Sequence, residues 1–225
     1  DVSLKDILTD LLDARKSDPT ALATGALAGR IVGNVQITGC DVISPDLYNL
    51  NSVTGGFVGY SEGATSYATE NLGVLVKLLS GVLNLIPGLG LGDVITILLG
   101  NALPLDKLVP TGYESPVLTD CTVTGLSGTV GVSDTKYNGG FTGQIIGTQM
   151  IDCDVINSDY TVQAESYGGG FVGLARDAEI KGMLQEGLGI LDAGTTGTLM
   201  LDCDVNGWTP KRGDAVSGGS YLGGF

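Results

Sequence analysis

The chain has 225 residues, 43% of them hydrophobic, 16% charged and 37 of them glycine. That is enough apolar material for a core and excludes a disordered chain, while glycine without a Gly-X-Y period excludes collagen and signals many tight turns. A formal charge of −14 with no basic run argues against nucleic acid or anionic lipid as partner. The absence of histidine excludes a His-based triad and a His-containing zinc site within these residues.

Residues 1–28 open the chain as a capping helix region. Ser3-Leu-Lys-Asp6 reads as a loose capping box, and Leu4, Ile7, Leu8, Leu11 and Leu12 follow on one helical face, suited to covering an open sheet edge. Val35-Gln-Ile-Thr-Gly-Cys-Asp-Val42 is the first of four Cys-centred strands; the others are Val117-Leu-Thr-Asp-Cys-Thr-Val123, Met150-Ile-Asp-Cys-Asp-Val155 and Met200-Leu-Asp-Cys-Asp-Val205. Alternation places Ile151, Cys153 and Val155 on one face and Asp152 and Asp154 on the other, the period of a half-buried strand.

Each Cys strand is followed by a second motif: Val53-Thr-Gly-Gly-Phe57, Tyr137-Asn-Gly-Gly-Phe141, Tyr167-Gly-Gly-Gly-Phe171 and Tyr221-Leu-Gly-Gly-Phe225. The paired glycines are expected to allow a sharp corner at positive φ before Phe. Phe141 and Phe171 are 30 residues apart, and Cys121 and Cys153 are 32 apart, so the unit has roughly 30 residues and must stack on its neighbours to bury its apolar face. The longer Phe spacings leave extra segments of 54 and 24 residues, both departing after the Gly-Gly-Phe-x-Gly element, hence from equivalent corners on one side.

The first excursion, residues 61–110, is apolar. Thr69 and Asp93 suit helix N-caps, and Pro87 and Pro104 suit stops, so two helices are predicted. Only 15 uncharged residues separate Lys77 from Asp93, short of the ~20 that span a bilayer, so no membrane span is expected. The second excursion, residues 174–195, repeats Ile180, Leu184, Leu188 and Leu191 at helical spacing after a cap at Asp177. The two helical lobes are expected to cover one flank together. With neither an initiating Met at Asp1 nor a cap after Phe225, the chain reads as part of a longer polypeptide, with an edge at Phe225 suited to self-association.

Gly169-Gly-Phe-Val-Gly173 and Gly55-Gly-Phe-Val-Gly59, each preceded by a Cys strand, resemble the GLUG motif of bacterial surface proteins. Thr142 replaces Val in the second copy. The resemblance covers the four motif cores, about half the chain. It implies a large secreted or wall-attached, adhesin-like protein and brings no catalytic residues with it.

The fold expected is mainly β: a single right-handed parallel β-helix, or β-solenoid, with an N-terminal helical cap and helical insertions on one side, right-handed by the crossover rule and the resemblance. The four cysteines are expected as an inward ladder of free thiols, with two cross-coil disulfides as the alternative. Asp152, Asp154, Asp202 and Asp204 face outward, extended by Asp41 and Asp120. They suit either Ca²⁺, which prefers clustered oxygens, or a solvated acidic face. No organic cofactor is called for.

The function expected is non-catalytic: a structural or adhesive module at the extracellular cell surface. Its partner would be a host or matrix protein, a glycan, or neighbouring modules. The alternative is a polysaccharide lyase or glycosidase using surface Asp pairs. Against it, these carboxylates recur with the scaffold, Trp208 is the only Trp, and the Tyr137, Tyr167 and Tyr221 column suits turn packing better than a sugar platform.

Overall fold

The computed structural model describes residues 22–47, 52–67, 110–180, 194–210, 214–218 and 220–225. The chain divides into two compact units, one of residues 18–64, 114–178 and 195–225, the other of residues 1–17, 65–113 and 179–194. Nearly all described residues belong to the first unit, which is built from strands.

The first repeat comprises β1 (Ala23–Gly25), β2 (Ala28–Val32), β3 (Gln36–Thr38) and β4 (Asp41–Ile43). The second has β5 (Val53–Gly55), β6 (Val58–Glu62), β7 (Ala64–Tyr67), β8 (Pro110–Glu114), β9 (Val117–Thr124) and β10 (Ser127–Val130). The third has β11 (Tyr137–Gly139), β12 (Thr142–Ile146), β13 (Gln149–Ile156) and β14 (Asp159–Ala164). The fourth has β15 (Tyr167–Gly169), β16 (Val172–Arg176), β17 (Ala178–Glu179), β18 (Thr195–Thr196), β19 (Leu199–Leu201), β20 (Asp204–Asn206) and β21 (Val216–Gly218), and β22 (Tyr221–Gly223) begins a fifth.

Each repeat gives successive strands to the same series of parallel sheets. The first sheet runs β1-β5-β11-β15-β22 and the second β2-β6-β12-β16. In the third, β9 and β13 lie between β3 and β4 on one side and β19 and β20 on the other; the fourth runs β10-β14-β21. Pairing is residue for residue: Tyr137 lies beside Val53 and Tyr167, and Cys121 beside Cys153.

The pairing also reveals a repeat that the sequence motif left out. Ala23, Thr24 and Gly25 pair with Val53, Thr54 and Gly55, thirty residues on, so Ala23-Thr-Gly-Ala-Leu-Ala-Gly29 is a fifth, degenerate copy with Leu27 at the Phe position. Residues 22–28, expected in the helical cap region, are therefore strand and corner. The predicted helix of residues 4–12 lies outside the described residues.

The paired glycines work differently from the expectation. None of Gly55, Gly56, Gly139, Gly140, Gly169 and Gly170 takes a positive φ. What each position lacks is room. A Cβ on Gly143 would lie 2.7 Å from Thr54 N and O and from Tyr137 O, and one on Gly139 would lie 2.7 Å from Gly173 N. The first and second sheets thus touch backbone to backbone through the outer glycines of Gly-x-x-x-Gly. The middle glycine is pressed from the other side: a Cβ on Gly56 would meet Leu126 and one on Gly170 would meet Trp208.

Between the glycines, the Phe ring turns inward. Ring centroids of Phe57, Phe141, Phe171 and Phe225 follow one another at 4.8, 4.9 and 5.0 Å, in near-parallel stacks. Phe57, Phe141 and Phe171 are fully buried among Leu118, Ile145, Met150, Tyr160 and Val162. Each such ring pair contributes about 0.5–1.5 kcal/mol beyond its buried area. Corner amides add rungs, Phe57 N–H donating to Phe141 O and Phe141 N–H to Phe171 O, each at 2.8 Å.

The excursions leave from equivalent corners, after β6 and after β16, strands of one sheet with β12 between them. They begin later than the residue pattern suggests. Ser61 and Glu62 pair with Ile145 and Ile146, and Leu174 to Arg176 pair with Gln144 to Ile146, so these residues belong to the sheet. Each excursion then opens and closes on strand: β7 pairs with β8, and β17 with β18. Asp177 does not cap a helix; its Oδ1 accepts the Thr198 N–H at 2.8 Å, tying the two sides of the second neck. Of the helical insertions expected over 61–110 and 174–195, residues 61–67 and 174–180 are therefore strand and its connections, residues 68–109 and 181–193 lie outside the described residues, and no helix occurs among the described ones.

One buried position departs from its column. Thr142 pairs with Val58 and Val172, and its Oγ1 is buried with no hydrogen-bond partner. An unpaired buried hydroxyl costs about 1–3 kcal/mol. Thr142→Val is expected to raise the unfolding free energy by about 1 kcal/mol in urea titration, and Val172→Thr to lower it, since valine fits this column without an orphaned hydroxyl.

Candidate functional site

The candidate residues converge on the third sheet, where the Cys strands run side by side. In β9 and β13 the burial pattern is the same. Leu118 and Met150 are buried, Thr119 and Ile151 are turned outward, Asp120 and Asp152 are exposed, Cys121 and Cys153 are buried again, and Val123 and Val155 follow inward. The expected strict alternation therefore slips by one residue, and Ile151 shares no face with Cys153; Met150 takes the inward place.

The slip has a backbone cause. The residue before each cysteine is left-handed: Gly39 at φ 62°, Asp120 at 54°, Asp152 at 51° and Asp202 at 50°. Aspartate tolerates this region better than most residues because its short side chain bonds locally, and glycine has no Cβ to clash. A second left-handed column closes the same segment at Ser44, Gly125, Asn157 and Gly207. Asp120, Asp152 and Asp202 thus have a conformational reason to be aspartate.

The carboxylates form two outward columns. One contains Asp120, Asp152 and Asp202 at the left-handed position. The other contains Asp41, Thr122, Asp154 and Asp204, paired in register. Thr122 Oγ1 donates to Asp41 Oδ1 at 2.5 Å, and the Asp204 N–H donates to Asp154 Oδ1 at 3.0 Å. Partial burial pushes the Asp154 carboxyl above its ordinary range, and the charges of Asp204, Asp152 and Asp120 add to this, against the opposing Asp204 N–H. Of the four residues singled out, the structure joins Asp154 to Asp204 directly and sets Asp152 and Asp202 in the neighbouring column. A hard cation such as Ca²⁺ takes six to eight oxygens around a point. Among the described residues, no group of three or more His, Cys, Asp or Glu is placed to hold a metal ion.

Behind these columns run the thiols, all four free. Each of three bonds to two carbonyls, one two residues back and one in the preceding repeat: Cys121 Sγ to Thr119 O at 3.3 Å and Ile37 O at 3.7 Å, Cys153 Sγ to Ile151 O at 3.4 Å and Leu118 O at 3.5 Å, and Cys203 Sγ to Leu201 O at 3.4 Å and Met150 O at 3.6 Å. Burial pushes the Cys121 thiol up. Cys153 is pushed up by its hydrogen bond with Cys203 and then by burial, while the same bond holds the half-buried Cys203 below the ordinary thiol range.

The aromatic candidates serve the scaffold. Tyr137 and Tyr167 lie 5.4 Å apart, and Tyr167 and Tyr221 stack at 4.7 Å. Trp208 stacks on Tyr160 at 5.0 Å and donates its Nε1–H to Tyr160 O at 2.8 Å, while the Tyr160 hydroxyl donates to Gly170 O. Leu126, Tyr160 and Trp208 cover the Gly-Gly corners, a role without a sequence motif because the three differ in type. Arg30 lies over the Tyr60 ring at 5.0 Å, and the Tyr60 hydroxyl donates to Glu62 at 2.5 Å. No helix long and apolar enough to cross a membrane occurs among the described residues. No protein-family model, curated protein or solved structure matches the chain.

Two outcomes test this geometry. With a thiol reagent on the folded chain, the half-buried Cys40 and Cys203 should react first; buried Cys121 and Cys153 should react only after denaturant is added. Peptide mapping after timed labelling reads the order. Because the folded state raises the Asp154 pKa, it holds that proton more tightly than the unfolded chain does. The ionised form therefore destabilises the fold above the folded pKa, and the penalty fades as pH falls through it. Asp154→Asn keeps an Oδ1 acceptor for Asp204 and should melt above the parent at pH ~7, the gain vanishing near pH ~3, below the usual carboxylate range.

Proposed function

We propose that this chain is a right-handed parallel β-helix, a β-solenoid of GLUG-type repeats, and that it serves as a non-catalytic structural and adhesive module at the extracellular surface of a microbe. The observation that carries the reading is the residue-for-residue parallel pairing of motif copies thirty residues apart, as between Ala23 and Val53 and between Tyr137 and Tyr167. Stacked repeats of one sequence give outward columns rising in steps of about 4.8 Å, an extended face suited to an extended partner. A host or matrix protein, a glycan, or neighbouring modules of the same protein are the partners such a face would take. Cysteine recurs once per repeat on the core side, and aspartate holds the left-handed position in three of the four repeats, so these residues have scaffold roles.

A second reading has one observation in its favour. Asp154, with its carboxyl raised, stands beside Asp204, as an acid and base pair would in a polysaccharide-active enzyme. Titrating the 225-residue chain against immobilised matrix proteins and a panel of acidic and neutral polysaccharides separates the two. Saturable binding with no shortening of the polymer is expected. Depolymerisation that Asp154→Asn abolishes would replace the adhesive reading with the enzymatic one; neither binding nor turnover would overturn both.

A further inference from the structure

We draw no further inference here: the strongest candidate, the exposed apolar edge formed by Leu199, Met200 and Leu201 of β19 with Leu222 of β22 and Phe225 just after it, carries nothing because β22 stands one repeat beyond the last strands of the other three sheets, so a second copy pairing on it would leave those sheets a strand apart and nothing in the structure shows what covers it.

Discussion

Two sheets of this protein meet backbone to backbone, and the rest of the architecture depends on that contact. Side chains normally hold facing sheets about 10 Å apart. Here Gly139 and Gly143, like Gly55 and Gly59, remove the spacer, so the strand before each Phe corner folds directly against the strand after it. The cost is severe sequence restriction, because a methyl at any of these positions would collide with main-chain atoms that cannot move without breaking ladder hydrogen bonds. The gain is a corner in which only one side chain, Phe, needs a place in the core. Leu126, Tyr160 and Trp208 then close the far side of the corner, where the middle glycine leaves a shallow seat.

In-register stacking makes every residue choice a choice about its own neighbour. A side chain placed at one position meets its equivalent about 4.8 Å above and below. Phenylalanine and cysteine gain from this: rings stack, and three of the four thiols find a carbonyl in the preceding repeat. Aspartate loses: at Asp154, where burial already raises the carboxyl, the neighbouring aspartate charges raise it further. Its persistence beside the cysteines divides into two cases. At Asp120, Asp152 and Asp202 the left-handed backbone needs a residue that tolerates positive φ. At Asp154 the carboxylate accepts the Asp204 N–H at the point where the edge strand is interrupted between β19 and β20. Neither role requires a ligand.

Much of this is legible in the residues. The spacing of Phe141 and Phe171 sets the length of the unit, the Cys strands mark the third sheet, and the unequal spacings locate both excursions at equivalent corners, with β6 and β16 ending three residues beyond Gly59 and Gly173. Three features are not legible, each for a physical reason. The slip at Asp152 is a backbone event, and period-two reasoning assumes that no residue leaves the β region. The fifth copy hides because Leu27 and Ala26 replace Phe and Gly at an edge, where a ring has one fewer neighbour to stack on; only the spacing of Gly25 and Gly29 betrays it. The paired glycines suggest positive φ because a sequence shows a preference without its cause, and close approach and left-handed backbone select the same residue.

For the adhesive role proposed above, the same logic bears on where a partner would be distinguished. A column that repeats with the scaffold is constrained by its own stacking and carries little information about a partner. Information resides where a column breaks. In the second sheet, Arg30, Tyr60, Gln144 and Leu174 occupy one register position with four different chemistries, but Tyr60 and Gln144 are buried, so this position presents no continuous outward column. In the third sheet, Thr122 interrupts the run of Asp41, Asp154 and Asp204, and Ile151 and Leu201 replace Thr38 and Thr119 on the outer face. One outward face thus grades from hydroxyl-rich to apolar along the repeats while its carboxylates persist. Such a gradient gives the face two chemically distinct ends, which a perfectly repetitive face lacks.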